Sequence, residues 1–348
     1  MTLRQTPNAA LTSLISLISL IGLVTIVTAL SCRKTSKLET VVYTSVDQVF
    51  SEPIFRYCEG AAGIVVRTLF DTEETKSTGV LNRLIAEASN VQADVFWSGD
   101  PVRPFALIDR ALIEPYVSPA ASGLPETLRA KDGLWTGFAA RARVLLVDNK
   151  RVANVDTPHS IRDLANPKWK GQTAIANPLF GTTTMHVAAL FSVWGESQAT
   201  TFLAQLKGNA VRVASSNGDV KKLVVSGEMA FGLTDTDDAY EAIAEGADVR
   251  VVYPDQQGIG TLVMPTVVVL LKGGPHPKRG RQLIDCLLSG EVEKRLAASA
   301  AHMPLRPGTQ VPPTVRSIES IKAMTIDYAA VAKTMEQIQP WLREWTQL

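Results

Sequence analysis

Short β-branched runs alternate with stretches of helical periodicity along most of the chain. Positions 40–43 form the first strand-like run, and apolar residues then recur at helical spacing over 46–58. A second strand-like run at 64–69 precedes a second helical pattern at 80–88, and a third run occupies 93–97. This order predicts an α/β fold with a largely parallel sheet covered by helices. Ligands of such sheets bind beyond the carboxyl ends of the strands.

Two long strand-like runs divide the rest of the chain. They are GFAARARVLLVD at 137–148 and TLVMPTVVVLL at 261–271, with another alternating strand–helix block between them. This layout indicates a chain that leaves one lobe, builds a second and returns, with the two long runs as hinge strands. We therefore predict that residues 40–139 together with 268–348 form the first lobe and that residues 140–267 form the second.

The N-terminus has the pattern of an export signal. Arg4 is the only charged residue before Arg33, and the chain is almost wholly apolar over 10–30. The sequence Ala-Leu-Ser-Cys, which ends at Cys32, is a degenerate lipobox. We predict that residues 1–32 are a signal peptide with lipidation at Cys32; an uncleaved membrane anchor and simple signal cleavage are the alternatives. All three place the rest of the chain on the periplasmic or cell-surface side of the inner membrane.

Composition and charge narrow the function further. The 348 residues are 46% hydrophobic and 20% charged with a net charge of +1, which excludes wholesale disorder. There is no run of Lys and Arg, so we expect no nucleic-acid partner. Cys58 and Cys286 form either a disulfide or two buried thiols. No Cys/His pattern has the spacing of a structural zinc site.

Several separated segments resemble one protein family. They are VVYTS at 41–45, NRLIAEASNVQADVFWSGDP at 82–101, GFAARARVLLVD at 137–148, MAFGLTDTDDAY at 229–240 and HMPLRP at 302–307. In this order they resemble the family-1 extracellular solute-binding proteins of bacterial ABC importers, most of all the periplasmic ferric-iron-binding branch. The resemblance implies a two-lobed type II periplasmic-binding fold, in which each lobe is a mostly parallel sheet flanked by helices. It also implies closure on a ligand and docking on an inner-membrane permease.

The resemblance implies a metal site but not its usual ligands. Ferric-binding proteins hold iron on two adjacent tyrosinates with a His and a Glu, and the tyrosine positions here carry Asp237 and Asp238. The Glu position corresponds to Gly99 with Asp100 beside it, and the His position falls near Asp47. Carboxylate oxygens suit a hard cation such as Fe(III). We expect Asp237, Asp238 and Asp100 to be the metal ligands, with Asp47 also at the ligand.

The same acidic residues have a simpler interpretation. Thr234 to Asp238 connect a strand to the start of a helix near Ala239, where Asp and Thr cap free N–H groups. We expect Asp235 to be such a cap, and for Asp237 and Asp238 both ligand contact and a solvated helix start remain open. The string Asp-Thr-Asp-Asp also matches the DxDD motif of protonating terpene cyclases, which are all-helical. An enzyme that uses Asp235 to Asp238 is therefore only a remote alternative, and we expect no enzyme.

A second group of residues is suited to an anion. Gly181, Thr182 and Thr183 follow a strand and open a helix, and their position matches the stretch that holds a synergistic anion in the ferric-binding family. Ordinary capping and a structural ion pair for Arg141 and Arg143 are the alternatives. The full expected ligand-contact set is Thr44, Ser45, Asp47, Asp100, Arg141, Gly181, Thr182, Thr183, Asn217, Asp237 and Asp238.

These observations lead to one functional prediction and its alternatives. We predict capture of ferric iron, with or without an anion, in the cleft between the lobes and delivery to an ABC permease. Relatives that carry phosphonates, phosphorylated solutes or polyamines supply the alternative cargoes. No catalytic cofactor is expected, and Fe(III) would be the transported ligand.

Overall fold

The computed structural model describes residues 38–71, 78–299 and 302–347. The strands are β1 (Glu39–Thr44), β2 (Val65–Phe70), β3 (Val95–Ser98), β4 (Ile113–Glu114), β5 (Thr136–Asp148), β6 (Thr173–Ala176), β7 (Arg212–Ala214), β8 (Phe231–Asp235), β9 (Val249–Val252) and β10 (Val263–Leu271). The helices are α1 (Gln48–Ala62), α2 (Thr78–Ala86), α3 (Arg103–Ile108), α4 (Gly181–Trp194), α5 (Glu196–Gly208), α6 (Asn217–Val225), α7 (Thr236–Ala244), α8 (Pro277–Leu287), α9 (Gly290–Ala298) and α10 (Tyr328–Thr346). The predicted alternation of strands and helices is confirmed.

The strands follow the order β2-β1-β3-β10-β5-β8-β6-β7, with β4 added to β10 and β9 added to β5. We define lobe 1 by β1 to β4 and lobe 2 by β6 to β9, with β5 and β10 between them. Parallel pairs lie inside each lobe, β1 with β3 in lobe 1 and β6 with β7 and β8 in lobe 2. The pairs made by β5 and β10 are antiparallel. The two long runs of the sequence are therefore the strands that join the lobes.

Strand β5 changes its pairing partner along its length. Its first half pairs with β10, and its second half pairs with β8, where Arg143 lies directly opposite Asp235. Within the part that pairs with β10 the register shifts between Pro265 and Thr266, and Ala139, which this shift leaves unpaired, adopts a left-handed conformation with φ of 42°. An unpaired residue of this kind is a β-bulge, which bends a strand locally.

A buried carboxylate holds the bulge in place. Glu293, on α9, accepts hydrogen bonds from the backbone N–H groups of Ala139 and Leu305, both at 2.9 Å, and of Arg306 at 3.1 Å. The adjoining Ala140 exchanges two backbone hydrogen bonds with Met303. One buried side chain thus ties the bend of β5 to the chain segment at 303–306.

The last helix differs from the expected lobe boundary. The prediction placed residues 268–348 in lobe 1, whereas α10 packs against α4 of lobe 2. Trp341 contacts Phe191 of α4 edge to face at 5.8 Å, and Trp345 donates a hydrogen bond to the carbonyl of Leu203. Helical periodicity can define an apolar face on a helix such as α10, but it does not say which surface covers that face.

Two further sequence predictions concern the cysteines and the membrane. Cys58 of α1 and Cys286 of α8 form a disulfide, so the disulfide alternative holds for this pair. The apolar run at 10–30 and the predicted lipidation site Cys32 lie outside the described residues. Among the helices that the structure does describe, none has both the length and the apolar character needed to cross a bilayer.

Replacing Glu293 tests the anchoring of the bulge. Glu293→Ala leaves three backbone N–H groups without their acceptor. Each buried donor that is left without a hydrogen-bond partner costs about 1–3 kcal/mol. We expect the free energy of unfolding in urea to fall by about 3 kcal/mol or more. Glu291→Ala is the control on the same helix, because its ion pair with Arg295 is solvent-exposed and contributes less than about 1 kcal/mol. Equal effects of the two substitutions would contradict the assignment.

Candidate functional site

A cleft of about 470 Å³ lies where strands of both lobes end. Five strands, β1, β2, β6, β7 and β8, end at the cleft, and four helices, α1, α4, α6 and α7, begin there. The position agrees with the rule that α/β sheets bind ligands beyond the carboxyl ends of their strands. The free N–H groups at the helix starts give part of the wall a positive potential.

The floor of the cleft is a buried ionic network centred on Asp235. Arg143 is fully buried, and its Nη1 donates hydrogen bonds to Asp235 at 2.6 Å, to Asn217 Oδ1 at 3.0 Å and to Thr182 Oγ1 at 3.1 Å. Thr182 in turn donates to both carboxylate oxygens of Asp235. Asp235 stands at the N-cap position of α7, as predicted, but its side chain makes no capping hydrogen bond. Its carboxylate is instead used by Arg143, Thr182 and a second arginine.

That second arginine is Arg141, which reaches into both lobes. It lies two residues before Arg143, so both side chains are on one face of β5. Nη1 donates to Asp235 Oδ2 at 3.2 Å and to Asp237 Oδ2 at 3.1 Å, and Nη2 donates to the carbonyl of Gly99 in lobe 1 at 2.7 Å. Burial lowers the pKa of Arg141, but the charges of Asp237 and Asp235 more than offset this, so the pKa is raised. The guanidinium therefore remains charged.

Three aspartates at the start of α7 form an acidic group. One carboxylate oxygen from each of Asp235, Asp237 and Asp238 lies within 4.8 Å of the others, a spacing at which a single metal ion can be held. Asp237 is 92% buried, and its Oδ1 has no hydrogen-bond partner among the described residues. Asp238 accepts a hydrogen bond from Thr234 at 3.0 Å. Of the three, Asp237 has the acceptor most clearly left over for a ligand.

The structure brings together most of the predicted contact residues. Those that line the cleft are Ser45, Asp47, Arg141, Gly181, Thr182, Thr183, Asn217, Asp237 and Asp238. Gly181 opens α4 with φ of 58°, a conformation that favours glycine. Thr183 accepts a hydrogen bond from Arg143, and Ser45 accepts one from the N–H of Gly99.

Two predicted residues, Thr44 and Asp100, do not line the cleft. The hydroxyl of Thr44 is used within lobe 1, since it donates to the carbonyl of Trp97 and accepts from the N–H of Val46. The carboxylate of Asp100 accepts from the N–H of Val102 and lies 3.7 Å from Arg103. Burial raises the pKa of Asp100. Asp100 is thus turned into its own loop, and the structure groups Asp235, not Asp100, with Asp237 and Asp238.

Some residues at the site were not included in the expected contact set. Asp71 and Glu241 line the cleft, as do the exposed apolar residues Val49 and Phe180, and no sequence signal identified them. His302 borders a cavity of about 10 Å³ beside Arg141 and Asp237. The segment at 302–307 carries part of the family resemblance, but His302 itself was not in the expected contact set.

Two buried histidines lie near the arginines. His186 follows the threonines of α4, and neither of its ring nitrogens has a hydrogen-bond partner among the described residues. Burial, with a further contribution from the charge of Arg143, lowers the pKa of His186 to about 3. Burial and the charge of Arg141 likewise lower the pKa of His302. Both rings are therefore neutral at neutral pH.

Comparisons with known proteins connect the chain to a family. The profile of the family described as bacterial extracellular solute-binding protein matches residues 92–333. Iron uptake protein A1 of Synechocystis is 30% identical over 264 residues, covering 72% of each chain. A putative 2-aminoethylphosphonate-binding periplasmic protein of Salmonella typhi is 25% identical, covering 83% of this chain and 77% of its own. Iron-bound HitA of Pseudomonas aeruginosa superimposes with a TM-score of 0.79 at 22% identity, over 88% of this chain and 99% of that one.

Replacing Asp235 tests its structural role. Asp235→Asn removes the charge shared by two buried guanidinium groups, and loss of one partner from a buried ion pair costs about 3–5 kcal/mol. We expect the free energy of unfolding to fall by that amount in urea denaturation. Asp238→Asn, in the same acidic group but only partly buried, should cost about 1 kcal/mol or less. A larger loss for Asp238→Asn than for Asp235→Asn would refute this division of roles.

The depressed pKa of His186 predicts a pH dependence of stability. The unfolded chain binds a proton at His186 below pH 6.5, whereas the folded protein does so only near pH 3. The contribution of His186 to the free energy of unfolding is therefore fully present above pH 6.5 and is lost as the pH falls toward 3. His186→Phe should lose less stability than the wild type over this interval, and exposed His159→Phe should behave as the wild type. Identical pH profiles for His186→Phe and the wild type would contradict the prediction.

Proposed function

This chain belongs to the bacterial extracellular solute-binding protein family, and we infer that it captures ferric iron together with an anion for an ABC importer. Its fold is the two-lobed type II periplasmic-binding fold. The cargo binds in the cleft between the lobes and is delivered to an inner-membrane permease. Residues 1–32 export the protein and tether it to the membrane in this proposal. Capture and delivery are binding steps, so no catalytic group is required.

The observation that carries the proposal is the acidic group at the start of α7. Asp235, Asp237 and Asp238 present carboxylate oxygens within 4.8 Å of one another, and Asp237 Oδ1 is buried with no hydrogen-bond partner in the part of the chain that the structure describes. Oxygen donors of this kind suit hard cations such as Fe(III). Because Asp235 is occupied by the arginines, Asp237 and Asp238 are the proposed metal ligands.

The charge of the cleft also favours a cation. Six carboxylates are found among its lining residues, against the single guanidinium of Arg141. Carboxylates held this close repel one another, and a cation relieves that repulsion. No tyrosine is present among the described residues that line the cleft, so iron would be held by carboxylates and by its own anion.

The anion has a separate place in the same cleft. Gly181 and Thr183 stand at the start of α4, Asn217 stands at the start of α6, and all three line the cleft. Free N–H groups and hydroxyls at helix starts bind phosphate and carboxylate groups. A ferric ion on the aspartates and an oxyanion on these helix starts would be neighbours in one cavity, since Thr234 contacts both Asp238 and the carbonyl of Asn217. Its volume of about 470 Å³ is in the range of sites for small organic ligands, far above that of a lone ion.

A second candidate cargo is a zwitterionic phosphonate. Relatives described as putative 2-aminoethylphosphonate-binding proteins are 25% identical to this chain. The helix starts would bind the phosphonate, and the aspartates would bind the ammonium group. Phosphorylated solutes would use the same helix starts, and a polyamine would use the aspartates alone.

The ligand assignment is tested with a double variant. We expect the purified protein to bind Fe(III) supplied with citrate or phosphate and to melt at a higher temperature when loaded. Asp237→Ala/Asp238→Ala should weaken iron binding by at least tenfold, because it removes both proposed ligands. The measurements are isothermal titration calorimetry, metal analysis and thermal melting.

The control is Asp109→Ala/Asp132→Ala, which removes two exposed aspartates that do not line the cleft. It should bind iron as the wild type does. Unchanged iron affinity in the Asp237→Ala/Asp238→Ala protein would refute the site. If the wild-type protein does not bind iron but melts at a higher temperature when 2-aminoethylphosphonate and a chelator are present, the second candidate is supported instead.

A further inference from the structure

A second cavity, of about 370 Å³, is formed by the chain that connects β4 to β5. All of the residues that line it lie between positions 117 and 136, and none of them lines the cleft between the lobes. Sites for small organic ligands in proteins have volumes of about 300 Å³ and above. The cavity therefore has the size of a ligand site that is separate from the cleft.

A narrow hairpin brings polar groups of this cavity together. The N–H of Ala130 donates to the carbonyl of Trp135, and the N–H of Gly133 donates to the carbonyl of Ala130, which closes a tight turn. Arg129 and Thr136 lie directly opposite each other across the hairpin in an antiparallel bridge. Side chains that are opposite in such a pair are neighbours on one face. Because both residues line the cavity, a guanidinium and a hydroxyl stand side by side in its wall.

The guanidinium of Arg129 has few partners within the protein. The side chain is only 28% exposed, yet its contact with the solvent-exposed carboxylate of Glu126 is long, at 3.7 Å. The guanidinium makes no hydrogen bond to any residue in the ranges that the structure describes. A largely covered arginine normally has partners for its N–H groups, because unpaired donors are costly away from water. Arg129 therefore has planar donors available for an oxyanion, which a guanidinium can bind through two parallel hydrogen bonds.

The other lining residues add a second cation and apolar surface. Lys131 is exposed at the turn of the hairpin and lines the cavity. The exposed side chain of Val117 and the buried side chain of Ala121 supply apolar surface. Glu126 is the one carboxylate among the described residues of the lining, against two cations, so the net charge of the lining is positive. Such a lining suits a ligand that has an oxyanion and a small apolar body.

We propose that this cavity is a second binding site, which takes a small organic anion such as a carboxylate or a phosphate ester. Arg129 and Lys131 bind the oxyanion, Thr136 donates a hydrogen bond to it, and the apolar body of the ligand lies on Val117. The carboxylate of Glu126 is exposed, so it can move into water when the anion takes its place at the guanidinium. The site goes beyond the proposed function and does not depend on which cargo the cleft binds.

The test titrates phthalate, a dicarboxylate on an apolar ring, into the purified 15N-labelled protein and follows two-dimensional NMR spectra. We expect phthalate to shift the backbone amide signals of Ala130, Gly133 and Thr136 with a dissociation constant of about 1 mM or lower. Benzamidinium, which carries a positive charge on the same ring, should leave these signals unchanged, because the two cations of the lining repel it.

Two pairs of substitutions test which charges bind the anion. Arg129→Gln/Lys131→Gln should weaken phthalate binding about tenfold or more, since hydrogen bonds to charged groups are the stronger ones. The matched control is Arg56→Gln/Arg110→Gln, which removes two exposed cations of lobe 1 outside this cavity and changes the net charge equally. The control protein should bind phthalate as the wild type does.

Three results would overturn the proposal. The first is equal phthalate affinity in the wild type and in Arg129→Gln/Lys131→Gln, and the second is equal affinity of the wild type for phthalate and benzamidinium. The third is a set of shifts confined to the amides of Thr183 and Asn217, which would place the anion in the cleft instead. None of these results bears on the proposed function, because iron binding is measured separately.

Discussion

The described structure of the cleft depends on one carboxylate, that of Asp235, shared by two arginines of the same strand. Burying three charged groups is costly unless each finds partners, and here the partners come from distant parts of the chain. Arg143 lies opposite Asp235 in the pairing of β5 with β8, so the ionic contact and the strand register support each other. Thr182 and Asn217 join the same network from the starts of α4 and α6. A single ionic centre therefore aligns one strand pair and two helix starts.

The same centre separates structural acids from acids available to a ligand. A carboxylate has about four acceptor positions, and Asp235 fills its own with Arg141, Arg143 and two contacts from Thr182. Asp237 uses one carboxylate oxygen to accept from Arg141, and its other oxygen is buried with no hydrogen-bond partner in the described ranges. Residue type alone does not distinguish these two aspartates, although they are two positions apart. What distinguishes them is the number of donors that the fold directs at each.

This difference explains which features of the fold and the site could be predicted from the sequence. The α/β order, the two joining strands and the helix start at Gly181 follow from local periodicity and capping chemistry, and the structure has them. The partner of Arg143 lies 92 positions away, and the disulfide joins cysteines 228 positions apart, so neither pairing leaves a local pattern. Asp100 was expected at the ligand because of its place beside Gly99. A short turn, in which Ser98 donates to the carbonyl of Asp100, directs its carboxylate elsewhere.

Strand β5 combines the mechanical and the chemical parts of the protein within a few residues. Its bulge at Ala139 is held by Glu293, and two residues later Arg141 contacts Gly99 of lobe 1 and the aspartates of lobe 2. Any change in the angle between the lobes must alter at least one of these contacts of Arg141, because the strand that carries it is the strand that joins the lobes. A ligand that binds Arg141 and Asp237 together therefore has a different affinity for each lobe angle, and such a difference is what shifts a conformational equilibrium. In this arrangement the guanidinium that borders the cleft is also the group held by both lobes.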